Sequence, residues 1–261
     1  MTWMFDLPLI VAGPLVMFLL LGFSLGGLYL FRRHLLPRLR FEQHEATFGA
    51  GMVSSIMVFY GLSAALVAVN VWDQYKQVGS IASRETTALN LLWRDVGGYP
   101  GEFRVPLQKR LREYTYFVIH EAWPLQRKGV VPSRGLDQMT QFQAILTSFE
   151  PRTEAQKILA AETFRSYNHL IEIRRERLDS VNAHLPGVFW AVLIFGAIIS
   201  LISAFFFPIV DGRVHAAQTA LLAVFIGLVI FLILALDRPY RGDLGVTAEP
   251  YQLLYDQLMK S

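Results

Sequence analysis

Cysteine is absent from the 261 residues of the chain, so disulfides, thiolate nucleophiles and cysteine-based metal sites are excluded. Charge is also scarce, because only 17% of the residues are Asp, Glu, Lys or Arg, whereas soluble domains carry about 25%. The formal net charge is +3. A balance this even argues against nucleic-acid binding, which needs a strong excess of basic residues.

Four long stretches contain no charged residue at all. They span residues 7–31, 46–72, 185–210 and 216–236. About 20 apolar residues in a helix, at about 1.5 Å per residue, cross the hydrocarbon core of a bilayer, and each stretch reaches that length. Buried helices of soluble proteins rarely run so far without a charge. We therefore predict four transmembrane helices, at about 8–31, 50–72, 187–208 and 216–236.

The first stretch is predicted to be a membrane anchor and not a cleaved signal peptide. A signal peptide has a basic start and an apolar core of about 7–15 residues. Here residues 1–8 contain no Lys or Arg, and the much longer apolar run ends at Arg32 and Arg33.

Residues 73–185 are predicted to form a water-exposed helical bundle between the second and third spans. Helix formers continue the second span to about Arg94, and Thr153 with Gln156 makes a capping box that starts a long helix to about residue 182. Two further helices are expected at about 102–123 and 134–148, the latter with Ser133 as N-cap. The predicted fold is an all-α integral membrane protein with this bundle inserted between spans 2 and 3. Its parts are a first transmembrane hairpin over 1–72, the bundle over 73–185, a second hairpin over 186–236 and a C-terminal tail over 237–261.

Motifs of common catalytic, nucleotide-binding and metal-binding sites are missing. The sequence contains no P-loop, no dinucleotide-binding glycine motif, no HExxH and no GxSxG. His169 and Glu172 share a helix face, but such a pair is more typical of a solvated helix than of a metal site. The spans carry no acid or base away from their ends, which argues against a proton relay. We therefore predict neither an enzyme nor a cofactor or metal site.

The second span carries two contrasting stripes. One consists of small residues three and four apart, which would allow close packing against another helix in lipid. The opposite stripe contains Tyr, Ser and Asn, which favours a water-filled path or a protein neighbour over lipid. Ordinary helix packing with side-chain hydrogen bonds explains this stripe as well, so both interpretations stay open. The packing stripe is Gly51, Ser54, Gly61, Ala65 and Ala68, and the pore-lining stripe of the channel hypothesis is Ile56, Tyr60, Ser63, Val67 and Asn70.

Arginines near the spans give conflicting predictions of orientation, because cytoplasmic loops carry an excess of basic residues. Four arginines between Arg32 and Arg40 would keep the first loop in the cytoplasm and place the bundle outside. Five others flank the opposite side and favour a cytoplasmic bundle, which is the orientation that we expect. They are Arg174, Arg175, Arg177, Arg238 and Arg241.

Three short runs resemble the bestrophin-like family of bacterial four-span membrane proteins. The most specific is Asp-Arg-Pro-Tyr-Arg-Gly-Asp at 237–243, where the fourth span ends, and the others are Trp-Asp-Gln-Tyr at 72–75 and Glu-Ala-Trp-Pro at 121–124. The sequence departs from the family where Asp73 replaces a common Glu and Tyr240 a common Phe. We interpret part of these runs as a structural latch between membrane and bundle. The latch residues are Asp73, Asp237, Arg238, Pro239 and Arg241.

The family is distantly related to bestrophins, which form pentameric anion channels with a neck on the second span and cytoplasmic helices between spans 2 and 3. The resemblance implies a homo-oligomer in the bacterial inner membrane, in contact with the lipid bilayer and with small inorganic anions. We therefore expect an anion channel with the second span lining the pore. Two alternatives remain open: a membrane sensor with an extracytoplasmic helical bundle that binds a ligand, and a scaffold subunit that conducts nothing.

Overall fold

The computed structural model describes residues 8–38, 43–207 and 209–260, without the side chains of residues 43–48. Arg40 and Pro208, which mark the first loop and the predicted end of the third span, lie outside the described residues. The described part of the chain contains helices, turns and loops but no strand, which confirms the all-α prediction. Its α-helices, in chain order, are α1 Leu9–Leu30, α2 Gln43–Gly97, α3 Gly101–Phe117, α4 Trp123–Gln126, α5 Arg134–Thr147, α6 Glu154–Ser180, α7 Gly187–Phe205, α8 Gly212–Leu236 and α9 Glu249–Leu254.

Four segments of helix are long and apolar enough to cross a membrane, as the sequence predicts. They lie in α1, in α2 from Gly49 onward, in α7 and in α8. The α8 helix begins four residues earlier than predicted because the Asp211 carboxylate accepts hydrogen bonds from the N–H groups of Arg213 and Val214. That N-cap was not recognised in the sequence. The α7 helix ends at Phe205, short of the predicted residue 208.

The α2 helix is 55 residues long and continues beyond the apolar segment without interruption. At about 1.5 Å per residue it extends roughly 80 Å, more than twice the ~30 Å thickness of a hydrocarbon core. The predicted continuation of the second span to about Arg94 is confirmed, and the helix ends three residues later at Gly97.

The chain divides into two compact units. The membrane unit comprises Met1–Gln74 and His184–Arg238, and the bundle unit comprises Tyr75–Ala183 and Pro239–Ser261. Residues after Pro239, treated as a separate tail in the sequence, therefore belong to the same unit as the helices between spans 2 and 3.

The core of the membrane unit is formed by apolar side chains of α1, α7 and α8. Its buried members are Val16, Ala197, Leu201, Ala223, Ile226, Ile230 and Leu234. Arg32 connects the end of α1 to the loop between α7 and α8, because its guanidinium donates to the carbonyl oxygens of Ile209 at 3.1 Å and Val210 at 2.9 Å. The outer surface keeps large apolar groups exposed, such as Ile10 at 87% and Phe59 at 71%, as expected for a surface that faces lipid.

The bundle unit has a larger core, to which α2, α3, α5, α6 and the C-terminal segment all contribute. Leu92, Leu107, Phe142 and Leu170 are completely buried in it. The helix predicted over about 102–123 is divided in the structure, because α3 ends at Phe117 and a π-helical turn at Val118–Ala122 leads into α4. Pro124 lies in the first turn of α4, at a position that needs no intrahelical N–H donor.

The first turns of α5 and α6 differ. The predicted capping box is present in α6, where the N–H of Gln156 donates to Thr153 Oγ1 at 3.2 Å and the Gln156 side chain accepts from the N–H of Thr153. Ser133 occupies the N-cap position of α5 as predicted, but its side chain makes no capping hydrogen bond.

Candidate functional site

One face of the second span packs against other helices of the membrane unit. Val53, Ala64 and Val71 are buried on this face, and the Tyr60 ring lies over Gly196 of α7. A Cβ added at Gly196 would lie 2.6 Å from Tyr60 Cδ2. Gly196 is therefore the position that allows this aromatic ring to approach α7.

The residues of the stripe predicted to line a pore differ in their burial. Ser63 and Asn70 are exposed, Ile56 and Tyr60 are partly buried, and Val67 is 7% exposed. The difference arises because the face that packs on the protomer's own helices is centred near Tyr60, which lies about 60° from Ser63 around the helix. The periodicity of the sequence predicts which residues share the stripe, but it does not predict which of them are covered by other helices of the same chain.

The packing stripe is largely uncovered in the protomer. Gly51, Ser54, Gly61 and Ala65 are exposed, and Ala68 is partly buried. A Cβ added at either Gly51 or Gly61 would meet no atom within 4 Å. No helix of the described part of the chain uses this stripe for close packing.

Hydroxyl groups in the second span differ in their hydrogen bonding. Ser54 donates to the Ala50 carbonyl at 2.9 Å and Ser63 to the Phe59 carbonyl at 2.8 Å. Each of these serines is thus satisfied by its own helix and needs no water. The hydroxyl of Tyr60 and that of Ser200 on α7 are instead buried without a hydrogen-bond partner.

Asp237, at the end of α8, forms hydrogen bonds with residues at the start of α7. Its Oδ1 accepts a 2.6 Å hydrogen bond from the backbone N–H of Leu185, and its Oδ2 accepts one from the Trp190 indole at 3.3 Å. Burial raises the pKa of the Asp237 carboxyl above its ordinary value, and these two hydrogen bonds oppose the rise. Within the membrane unit, Asp237 therefore connects the two helices of the second hairpin.

The other latch residues take different places. Arg238 adds a positive charge that lowers the pKa of Asp237, and Asp73 is exposed. In the bundle unit, the Pro239 carbonyl accepts from the N–H of Val246 at 2.8 Å, and Arg241 Nη2 donates to the Lys128 carbonyl at 3.0 Å. The hydrogen bonds of Asp237, Pro239 and Arg241 named above each lie inside one unit, and a latch that joins the units stays a prediction.

The bundle unit contains a buried ion pair that the sequence alone does not predict. Arg177 Nε donates to Glu85 Oε2 at 2.6 Å, and the two side chains are 2% and 0% exposed. Tyr114 donates to Glu85 at 2.8 Å, and Gln126 Oε1 accepts from Arg177 at 2.8 Å. Burial alone would lower the pKa of the Arg177 guanidinium, but the Glu85 carboxylate raises it well above its ordinary value. No local pattern reveals a pair whose members are 92 residues apart.

No group of three His, Asp or Glu side chains that could hold a metal ion occurs in the described parts of the chain. A family model, the Bestrophin-like domain, matches residues 18–251. The chain belongs to the bestrophin-like family. The matched range of this bestrophin-like protein includes the second span and the run at 237–243. Searches of curated proteins and of solved structures found no match.

Proposed function

We propose that this bestrophin-like protein is an oligomeric anion channel of the bacterial inner membrane, with the second span of each protomer lining the path. The observation that carries the proposal is the uncovered side of α2, where the small stripe meets no atom of its own chain at Gly51 and Gly61. In lipid, small residues favour close helix association because backbones can approach. A second copy of the chain is the proposed neighbour of this stripe.

The positions around α2 allow packing and lining at the same time. Gly61 and Ser63 lie about 160° apart around the helix, so a neighbour seated on Gly61 leaves Ser63 facing elsewhere. We assign Ser63 and Asn70 to direct contact with the anion, because both are exposed. The Ser63 hydroxyl has to turn away from the Phe59 carbonyl to donate to the anion. Hydroxyl and amide groups can replace part of an ion's hydration. Tyr60 and Val67 are assigned to the packed face of α2 inside the protomer, next to the residues that contact the anion.

Ile56 is assigned to a hydrophobic constriction. It lies at the edge of the packed face and is partly buried, and rings of apolar side chains can gate a pore by excluding water. Chloride flux into liposomes that contain purified protein tests this assignment. Ile56→Ala should widen the ring and raise the flux above that of the wild type. The matched control is Leu62→Ala, about 120° away and 59% exposed, which should leave the flux unchanged.

The oligomeric state of the purified protein is measured in the same experiment. Gly61→Leu should leave the protomer folded, since nothing of its own chain lies within 4 Å of the added Cβ, but should abolish the oligomer and the flux. An intact wild-type oligomer that passes no chloride at any voltage, pH or calcium concentration, with Ile56→Ala equally silent, would overturn the channel proposal.

The scaffold alternative is favoured by one observation. Ser63 satisfies its hydroxyl on the Phe59 carbonyl, so its presence in the span does not require water. A silent but intact oligomer would support this alternative.

The sensor alternative depends on the side of the membrane that the bundle occupies, which we propose to be the cytoplasm. Single cysteines at Ser133 and at Val210, which is 94% exposed, can be introduced because the chain has no cysteine. On intact cells, an impermeant thiol reagent should label residue 210 and not residue 133. The reverse pattern would contradict the proposed orientation and favour the sensor.

A further inference from the structure

Arg174, in the bundle unit, is a buried cation without a counter-charge. Its side chain is 7% exposed, and its Nε is buried without a hydrogen-bond partner. No ion pair joins Arg174 to any residue in the described ranges of the chain. Arg177, one turn further along α6, shows the usual arrangement, since Glu85 and Gln126 satisfy it. Buried charges are normally paired because their desolvation is costly, so Arg174 points to a ligand.

The first turn of α5 lies against this guanidinium. A Cβ added at Gly135 would be 3.2 Å from Arg174 Nη2 and 3.0 Å from the Phe117 ring. The α5 helix has 14 residues, and the Ser133 side chain does not cap it. The Leu136 N–H donates to the Ser133 carbonyl at 2.8 Å, and the earlier amides of a first turn carry partial positive charge and seek acceptors. Two positive features thus meet at Gly135, where an anion would satisfy both.

Phe117 beside Gly135 also lines an open cleft of about 620 Å³, together with Arg134, Gln138 and others, whereas Arg174 and Gly135 are not part of its lining. The acids nearby are mostly engaged: Glu121 accepts from Arg134 at 2.7 Å, and Glu113 accepts from Arg110 at 2.8 Å. Asp137, also on this turn, is exposed. Gln138 Oε1 is also buried without a partner, but this oxygen is an acceptor and contributes nothing to the binding of an anion.

We propose that Arg174 and the first turn of α5 form a binding site for a phosphate-type oxyanion. A guanidinium presents two parallel donors that match such an oxyanion, and helix N-termini bind the same group through backbone amides. A side chain at Gly135 would press against Phe117 and Arg174 and would displace the guanidinium from the first turn of α5. The site lies outside the second span and does not depend on whether the protein conducts.

Binding of inorganic phosphate to the purified full-length protein in detergent, at constant chloride, tests the site. Titration calorimetry and the shift of the thermal midpoint should both show saturable binding, since a ligand of the folded state stabilises it. Arg174→Met should weaken binding at least tenfold. The matched control is Arg175→Met, which removes the same charge from the adjacent, exposed position of α6 and should bind like the wild type.

Two further measurements separate a binding role from a structural one. Without phosphate, Arg174→Met should unfold at the same temperature as the wild type or a higher one, because it removes an uncompensated buried charge. Gly135→Ala keeps every charge and should also weaken binding, through the contacts of its Cβ. The site would be disproved if the wild type gained no stability from phosphate, or if both variants bound it as tightly as the wild type.

The oxyanion could be a soluble phosphate or the head group of an acidic lipid. A parallel titration with short-chain phosphatidic acid identifies the source. Tighter binding of the lipid, lost in Arg174→Met, assigns the site to a head group, and tighter binding of inorganic phosphate assigns it to a soluble ion. Failure of both ligands to bind would overturn the proposal.

Discussion

The membrane unit and the bundle unit are both helical, but they differ in how much of their apolar side chains they leave exposed. The membrane unit leaves large apolar groups such as Phe18 and Phe59 more than 70% exposed, and its core cluster is small and apolar. The bundle unit buries a much larger apolar core and encloses the Glu85–Arg177 pair within it. In lipid an exposed Phe costs nothing, whereas in water the exposure of the same group is unfavourable. The surrounding medium, and not the type of element, therefore decides what each unit buries.

The strongest test of this contrast is the buried ion pair of the bundle unit. Arg177→Met leaves the Glu85 carboxylate buried without its partner and should cost about 3–5 kcal/mol of stability. The matched control is Arg84→Met, which breaks the exposed Arg84–Glu176 pair of 3.0 Å on the same two helices and should cost at most about 1 kcal/mol. Thermal unfolding of the purified protein measures both, and equal losses would show that burial does not matter here.

In the membrane unit, the corresponding test is Asp237→Ala. This change leaves the Leu185 N–H and the Trp190 indole without their acceptor and should cost about 1–3 kcal/mol. Asp237→Asn keeps one accepting oxygen and should lose less.

The pH dependence follows from the raised pKa of Asp237. A folded-state pKa above the unfolded value means that this group contributes more stability at low pH and that the contribution is lost as the pH rises through the folded-state pKa. The difference in thermal midpoint between wild type and Asp237→Asn should therefore shift in favour of the wild type on acidification. A wild type that fell behind on acidification would contradict the direction of the pKa shift.

Two glycines of the membrane unit separate packing inside the protomer from packing between protomers. Gly196→Ala should cost about 1–3 kcal/mol by overpacking, since its Cβ would lie 2.6 Å from the Tyr60 ring. Gly61→Ala meets nothing in its own chain, so a dissociated protomer should keep its stability. If Gly61→Ala lowers stability only in the oligomer, a neighbouring protomer contacts the small stripe. If Gly61→Ala and Gly196→Ala lower the stability of the dissociated protomer equally, the packing of Tyr60 on Gly196 is contradicted.

The smallest expected effect concerns helix starts in the bundle unit. Thr153→Ala removes the capping bond to Gln156 and should lower stability by about 1 kcal/mol. Ser133→Ala is the control, since Ser133 makes no capping bond, and its stability should not change. A loss at Ser133 equal to that at Thr153 would show that the two helix starts do not differ as described.

Local patterns in the sequence were sufficient for the four spans, the longer helices between spans 2 and 3 and the family, but they did not predict α9. Charge-free stretches of the right length predicted the four spans, and the short-range Thr153–Gln156 signal predicted the start of α6. The early start of α8 at Gly212 was missed because Asp211 was not recognised as an N-cap. The contribution of the C-terminal segment to the bundle core was missed because its buried members, such as Tyr251, contact residues far away in the sequence.

The candidate site was harder to predict for the same reason. Periodicity places Ile56, Tyr60 and Ser63 on one stripe, but only the position of α7 shows that Tyr60 is covered and Ser63 is not. The Glu85–Arg177 pair and the uncompensated Arg174 likewise depend on helices that are distant in sequence. A single sequence reports which residues share a face, and the fold determines what each face meets.

Block of chloride flux by modification of residue 63 tests most directly whether the second span lines an anion path. Ser63→Cys can be made in a chain with no other cysteine, and Val69→Cys, about 120° away and 58% exposed, is its control. A water-soluble, charged thiol reagent should reduce the flux of Ser63→Cys in liposomes and leave Val69→Cys and the wild type unchanged. A conducting, intact oligomer in which residue 63 does not react, or reacts without a change in flux, would contradict the proposed path.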